Sequence, residues 1–295
     1  MLKKYQNSAT LILLFTILIL YLLNSNLIIK EFLDYTNIFI TKLFPTTFII
    51  YIFSYLFIEY GIINKLNKVL KKYSSSFYII LMSILSGFPS GPKYIKDLLN
   101  KNYITEDTAN YLIHFTHFPN PLFILGTVSK IINYKLTIII YISLLLSNFI
   151  TALIIKKPKH NYIIHNYQVK KDFSSIISKA IIESLKISIL IYGTSIFFYL
   201  ISVIINNYLQ LSLENYIILN SFFDLTKGIT LSSLIVNKTI KSIFIIILIS
   251  IGSLNINIQI KSILADTNIK YKNFIKGRIL STIFALIIFL LLRSL

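Results

Sequence analysis

Long apolar runs, separated by short lysine clusters and one dense group of prolines, set the plan of this chain. The first run covers 9–23, extends toward 29 and follows Lys3 and Lys4. A signal peptide shares this look, but the run lacks a small-x-small cleavage site after it, so it reads as a retained first span. A second run, 37–58, contains Phe44-Pro45, which predicts a kink, and ends at Glu59-Tyr60-Gly61. Lys65, Lys68, Lys71 and Lys72 form a basic loop after it. Further runs at 136–155, 187–205 and 274–292 approach the roughly 20 residues that cross a hydrocarbon core about 30 Å thick. Between them, 173–186 is amphipathic, with Ile176, Ile177, Ala180, Ile181 and Leu185 on one face.

Two runs are too short to cross. Residues 77–86 make about 15 Å of helix at about 1.5 Å per residue and stop at Ser86-Gly87-Phe88-Pro89-Ser90-Gly91-Pro92-Lys93. Irregular backbone at that depth is tolerated only against protein or a water-filled cavity. The spacing therefore predicts a re-entrant hairpin over 77–118. Its return helix starts at Pro92, and a further helix is capped by Thr105 ahead of Glu106 and Asp107. That helix runs to about His117 and is broken at Pro119-Asn120-Pro121; four of the six prolines lie between 89 and 121. The second short run, 242–251, also stops at a glycine, Gly252. A shift of 165 residues aligns Gly87, Ile95, Lys96, Leu99 and Ile104 with Gly252, Ile260, Lys261, Leu264 and Ile269. Paired half-length arms of this kind are a transporter pattern. Residues 216–236, interrupted by Asp224-Leu225-Thr226-Lys227-Gly228, read as a broken span or a second hairpin.

Composition agrees with a bilayer. The chain is 55% hydrophobic and 14% charged, against about a quarter charged in soluble domains. Its net charge of +18 gathers in lysines between apolar runs, as the positive-inside rule predicts, rather than in a nucleic-acid surface. Cysteine is absent, which excludes disulfides, thiolate metal sites and a cysteine nucleophile. No hydrolase, P-loop, zinc-protease or dinucleotide motif appears, so no enzyme activity and no cofactor are expected. His114 and His117 share a helix face without further ligands at suitable spacing, so core or pore-lining roles are expected and no metal.

The block Ser86–Lys93, followed by Ile104-Thr105-x-Asp107-x-Ala109 and Asn120-Pro121-Leu122-Phe123-Ile124-Leu125-Gly126-Thr127-Val128, resembles the YlbJ-type sporulation integral membrane proteins. These carry the Gate, or nucleoside-recognition, domain and are related in architecture to concentrative nucleoside transporters. Phe44-Pro45, Asp224–Gly228 and Gly252-x-Leu254 fall in family order, so the resemblance covers about 40 to 290. It implies dipicolinate transport from the mother cell across the outer forespore membrane. This chain has Asp224 where the family usually has Glu, Lys227 where it has a small polar residue, and His117-Phe118-Pro119 in place of a polar turn.

The resulting expectation is an all-α polytopic membrane protein with two Gate-like halves built on re-entrant hairpins or broken helices. Residues 1–36 form an N-terminal helix and loop, 37–155 the first half, 156–172 a basic cytoplasmic linker, and 173–295 the second half. A helix N-terminus is an anion site, and Lys93 there is unfavourable against the dipole unless an anion or carboxylate compensates. Gly87, Ser90, Gly91, Lys93 and Asn120 are therefore candidate substrate contacts. Asp224, Thr226, Lys227 and Gly228 complete or couple the site, with Asp224 and Lys227 spaced to pair. Asn255, Asn257 and Gln259 are candidates to line the second half-site. Glu59 is expected at the interface. The expected partners are a small organic anion, the lipid bilayer and a coupling ion, H+ or Na+, with the oligomeric state left open. A non-transporting scaffold for spore-envelope assembly and a nucleoside carrier are the alternatives.

Overall fold

Apolar side chains point outward along most helices and hydroxyls point inward. In the computed structural model, which describes residues 2–158 and 172–294, Leu22, Leu153, Ile189 and Leu291 are mostly exposed while Ser83, Thr137, Ser143 and Ser147 are fully buried. That arrangement suits lipid as the surrounding solvent, because small polar residues serve helix contacts there. All regular structure among the described residues is helical, so backbone groups are satisfied within each segment, as a hydrocarbon core requires. Four helices are long and apolar enough to cross a membrane, and there are up to six spans if each of two bent pairs counts as one. The chain is a multi-pass integral membrane protein.

Helix α1 (Leu2–Leu23) ends at Leu23, and the chain turns by 93° into α2 (Ser25–Ile38). The first run thus does not continue straight to 29. A π turn at Phe39–Leu43 leads into α3 (Phe44–Glu59). Pro45 lacks the N–H that a regular turn would use, and the wider π turn accommodates its ring. Gly61, at φ 71°, redirects the chain into the amphipathic α4 (Ile62–Leu70). Then come α5 (Ser74–Ser86), α6 (Ser90–Asn100), α7 (Glu106–Leu112), α8 (Pro121–Phe123), α9 (Ser129–Ile131) and α10 (Tyr134–Ile154). The basic linker expected at 156–172 falls largely outside the described residues. Beyond it, α11 (Phe173–Tyr208) joins the amphipathic stretch and the next span in one helix of 36 residues. The chain closes with α12 (Leu213–Phe223), α13 (Leu225–Leu231), α14 (Lys238–Ile251), α15 (Leu254–Leu264) and α16 (Tyr271–Arg293).

Contacts along α11 fix the topology. Near its start, Lys179 and Glu183 line a cavity with Lys101; near its end, Ser202 and Asn206 donate to Asn220. These levels are about 30 Å apart at about 1.5 Å per residue. Helices α5 and α6 fold back on each other on the first level, a shorter unit than the 77–118 hairpin expected, because α7 belongs to the next element: Ser75 donates to the Tyr103 carbonyl and Tyr94 to Ser86. Helices α12 and α13 form a second hairpin on the other level. A Cβ on Gly228 would lie 2.7 Å from the Ser221 Cα, whereas seven residues of straight helix span about 10 Å. Residues 216–236 therefore fold back.

The 165-residue alignment pairs unlike elements. Gly87 and Gly252 share a left-handed φ, 76° and 78°, but α14 and α15 run on as one interrupted span, Lys238–Leu264. The difference arises from the residues just beyond each glycine. After Gly252, helix resumes within two residues and Asn257 reaches back to the carbonyls of Gly252 (3.2 Å) and Ser253 (2.9 Å). After Gly87, Phe88 and Pro89 intervene and the next helix starts only at Ser90. By element order, hairpin α5–α6 matches α12–α13, the interrupted crossing α7–α9 matches α14–α15, and the full span α10 matches α16. Gly87 and Asp224 then stand at the two tips, which approach from opposite faces. Helices α10 and α16 adjoin through Thr151 and Ser281, 2.9 Å apart.

Candidate functional site

The first tip is filled by protein. Gly87 ends α5 because its left-handed backbone suits a residue without Cβ, and a Cβ there would meet the Asn120 nitrogen at 2.5 Å. A Cβ on Gly91 would meet the Thr116 carbonyl oxygen at 1.9 Å. Asn120 donates to the Ser86 carbonyl (3.2 Å) while its own oxygen caps α8 through the N–H groups of Leu122 and Phe123. Ser90 bonds Tyr51 at 2.8 Å, and Phe88 stacks on His117. Gly87, Ser90, Gly91 and Asn120 are thus placed together, each held by neighbouring backbone or side chains.

Lys93 lies in the first turn of a helix that begins at Ser90, two residues earlier than expected from Pro92. Its compensating carboxylate is internal: the ammonium meets Asp97 at 2.5 Å, one turn on. Lys93 and Asp97 line a cavity of about 490 Å³ with Tyr55, Lys101, Lys179 and Glu183. Glu59 pairs with Lys101 and is buried within the protein. Among the described residues, Lys179 has no carboxylate within 4 Å.

The second tip carries a buried carboxylate. Asp224 caps α13 by accepting the Lys227 backbone N–H at 2.7 Å. Its other oxygen accepts from the Tyr35 hydroxyl (2.9 Å) and the Asn255 amide (2.7 Å). Asn255 and Gln259 both donate to Ser195, so α2, α11, α13 and α15 converge on this group. The Lys227 ammonium does not pair with Asp224, contrary to the spacing argument; it lies 5.3 Å from the centre of the Tyr199 ring. That ring stacks on Tyr35, and its hydroxyl donates to Glu31. The i, i+3 pairing fails because the cap directs the Lys227 backbone, not its side chain, at the carboxylate. Thr226 is half-buried and Gly228 is pressed against Ser221. Asn255 and Gln259, one helical turn apart on α15, reach this cluster, whereas Asn257 bridges the break in α14–α15.

A third cluster joins the halves, and the sequence pattern alone does not reveal it. Arg278, on α16, is 1% exposed. Its guanidinium donates to the His114 carbonyl (2.7 Å), the Asn148 side-chain oxygen (2.9 Å) and the His117 carbonyl (3.4 Å). It therefore satisfies backbone freed where α7 ends inside the membrane. His117 sits between Phe88 and Phe274, a core position as expected. No cluster of metal ligands occurs among the described residues. The available signal was compositional: Arg278 is one of two arginines among 29 basic residues and stands within the last apolar run, where an ionisable group needs a partner.

The chain is 23% identical to the sporulation integral membrane protein YlbJ of Bacillus subtilis (strain 168), over 84% of this chain and 73% of that protein. No family model matches the chain, and no solved structure matches it. The likeness expected from the 86–128 block thus extends over most of the chain, at the level of a distant relative.

Proposed function

We propose, from this distant relationship to a sporulation integral membrane protein, that the chain transports a small organic anion, with dipicolinate at the outer forespore membrane the case the resemblance implies. The observation that carries the reading is the pair of hairpins entering from opposite faces, each followed by an interrupted crossing. Such elements place polar groups and helix ends at depth, where transporters build their sites. A scaffold has no need of a buried carboxylate at a hairpin tip, since an intramembrane charge is costly.

Charge favours an anion over a nucleoside. Lys227 is half-buried, with no carboxylate within 4 Å among the described residues, so its ammonium is available to a substrate carboxylate. Lys93 exchanges Asp97 for substrate in the 490 Å³ cavity, a volume in the usual range for small-molecule sites. Asp224 serves as the coupling group, for H+ or Na+, and no chemical conversion of substrate is proposed.

The test is uptake of labelled dipicolinate into proteoliposomes. Wild-type protein is expected to exceed protein-free vesicles, and Lys227→Ala to abolish the excess. Uptake of uridine in place of dipicolinate would make the protein a nucleoside carrier. No uptake of either by well-folded protein, under a proton or a sodium gradient, would leave the scaffold.

A further inference from the structure

We propose that the groove between α5, α7 and α10 binds one anionic phospholipid, with its phosphate between Lys72 and Lys157 and an acyl chain along the groove. The cavity holds about 440 Å³. Leu112 and Phe115 form its buried floor, and Phe149 and Leu153 its exposed rim. Lys72 and Lys157 stand at its mouth and are exposed. They come from two separate basic segments of the chain, which this groove brings to one face.

Three features of the groove select the occupant. The outer surface here faces hydrocarbon, so an apolar groove of this depth takes an acyl chain from the bilayer rather than water. The lysines lie where the helices end, the level of lipid phosphates, and basic pockets between membrane helices recognise anionic head groups. Finally, neither ammonium has a carboxylate within 4 Å among the described residues; Lys72 lies over the Tyr73 ring at 5.2 Å. Asp107 lies in the adjoining depression, where Lys156 and Lys157 outnumber it. A zwitterionic head group would bring its own ammonium to these lysines, so an anionic one is preferred. This site is separate from the anion path proposed above and does not depend on it.

The experiment is native mass spectrometry of the full-length detergent-solubilised protein, titrated with phosphatidylglycerol and phosphatidylcholine. The wild type is expected to retain phosphatidylglycerol preferentially. At about fivefold per lysine, Lys72→Ala with Lys157→Ala should weaken that lipid about 25-fold. The pair Lys65→Ala with Lys68→Ala, which removes the same charge outside the groove, should leave binding unchanged. Ser76→Trp, or Leu153→Trp at the rim should the first fail to fold, fills the groove without altering charge and should also weaken retention. Equal loss in both lysine pairs, indifference to head group, or full retention by the tryptophan variant overturns the proposal. So does displacement by equimolar inorganic phosphate, which would make this a free-anion site.

Discussion

Replacing Arg278 tests whether one side chain holds the interrupted crossing α7–α9 against α16. In Arg278→Met, the Asn148 oxygen keeps the Ser281 hydroxyl at 3.2 Å, and the His117 carbonyl keeps the Asn148 amide at 3.2 Å. The His114 carbonyl loses the 2.7 Å bond from Arg278. One buried acceptor left without that donor costs about 1–3 kcal/mol. Removing a buried charge offsets part of this, and no carboxylate is orphaned, so the larger penalty of a broken ion pair does not apply. The net expectation is about 1–2 kcal/mol, or roughly a 2–6 °C lower melting temperature in detergent. Arg278→Lys should be at least as damaging, because one ammonium cannot reach both carbonyls and must remain buried or lose its proton. Asn148→Ala shares these partners, so the double variant should fall short of additivity by at least about 0.5 kcal/mol. Melting of Arg278→Met within about 1 °C of wild type, equivalent to about half a kcal/mol or less, or a lysine variant more stable than the methionine one, would refute the reasoning.

Gly91→Ala and Gly277→Ala should abolish folded protein in membrane fractions, since the new Cβ atoms would stand 1.9 Å and 1.8 Å from carbonyl oxygens of Thr116 and His114. Gly126→Ala and Gly193→Ala, with nothing within 4 Å, should be expressed normally. Asp224→Asn keeps an acceptor for the Lys227 N–H but turns its amide nitrogen toward two donors, the Tyr35 hydroxyl and the Asn255 amide; it should melt below wild type and, at matched folded protein in the vesicles, lose uptake in the proteoliposome assay. Tyr35→Phe removes one bond to that carboxylate and should cost about 1.5–3 kcal/mol, read from thermal unfolding. Lys93→Ala breaks a partly exposed pair worth less than about 1 kcal/mol, so its melting should hardly move; unchanged uptake in this variant would take the cavity off the substrate path.

The break between α5 and α6 was legible because glycine and proline interrupt a short apolar run, although the hairpin closes before α7 rather than at 118; Thr105 does cap α7, with its hydroxyl 3.3 Å from the Thr108 nitrogen. The second hairpin was ambiguous because neither arm length nor charge tells a broken helix from one that folds back. The contact of Gly228 with Ser221 decides it, and that contact is a property of the fold. Gly252 misled the internal alignment, since a left-handed glycine reports a break and not the direction taken after it. The neighbour of Lys227 was hidden for a related reason, since the Tyr199 ring is remote in sequence; the Lys93–Asp97 pair, one helical turn apart, is local and could have been read from the i, i+4 spacing. Arg278 could have been noticed by its rarity, but not its acceptors, which are two backbone carbonyls and the Asn148 side-chain oxygen, all more than a hundred residues away.

That separation has a consequence for biogenesis. Helix α6 carries Lys93, Lys96 and Asp97 and could not enter a bilayer alone. Its neighbours include the turn after α15, joined through Lys96 and Asp266, and the break after α7 is secured by Arg278. Both partners leave the ribosome long after the hairpin itself. The first half therefore waits, partly unsealed, for the last two helices to be synthesised. A chain truncated before α15 should be inserted but remain a substrate for membrane proteases, with the complete chain becoming resistant only when α16 is in place.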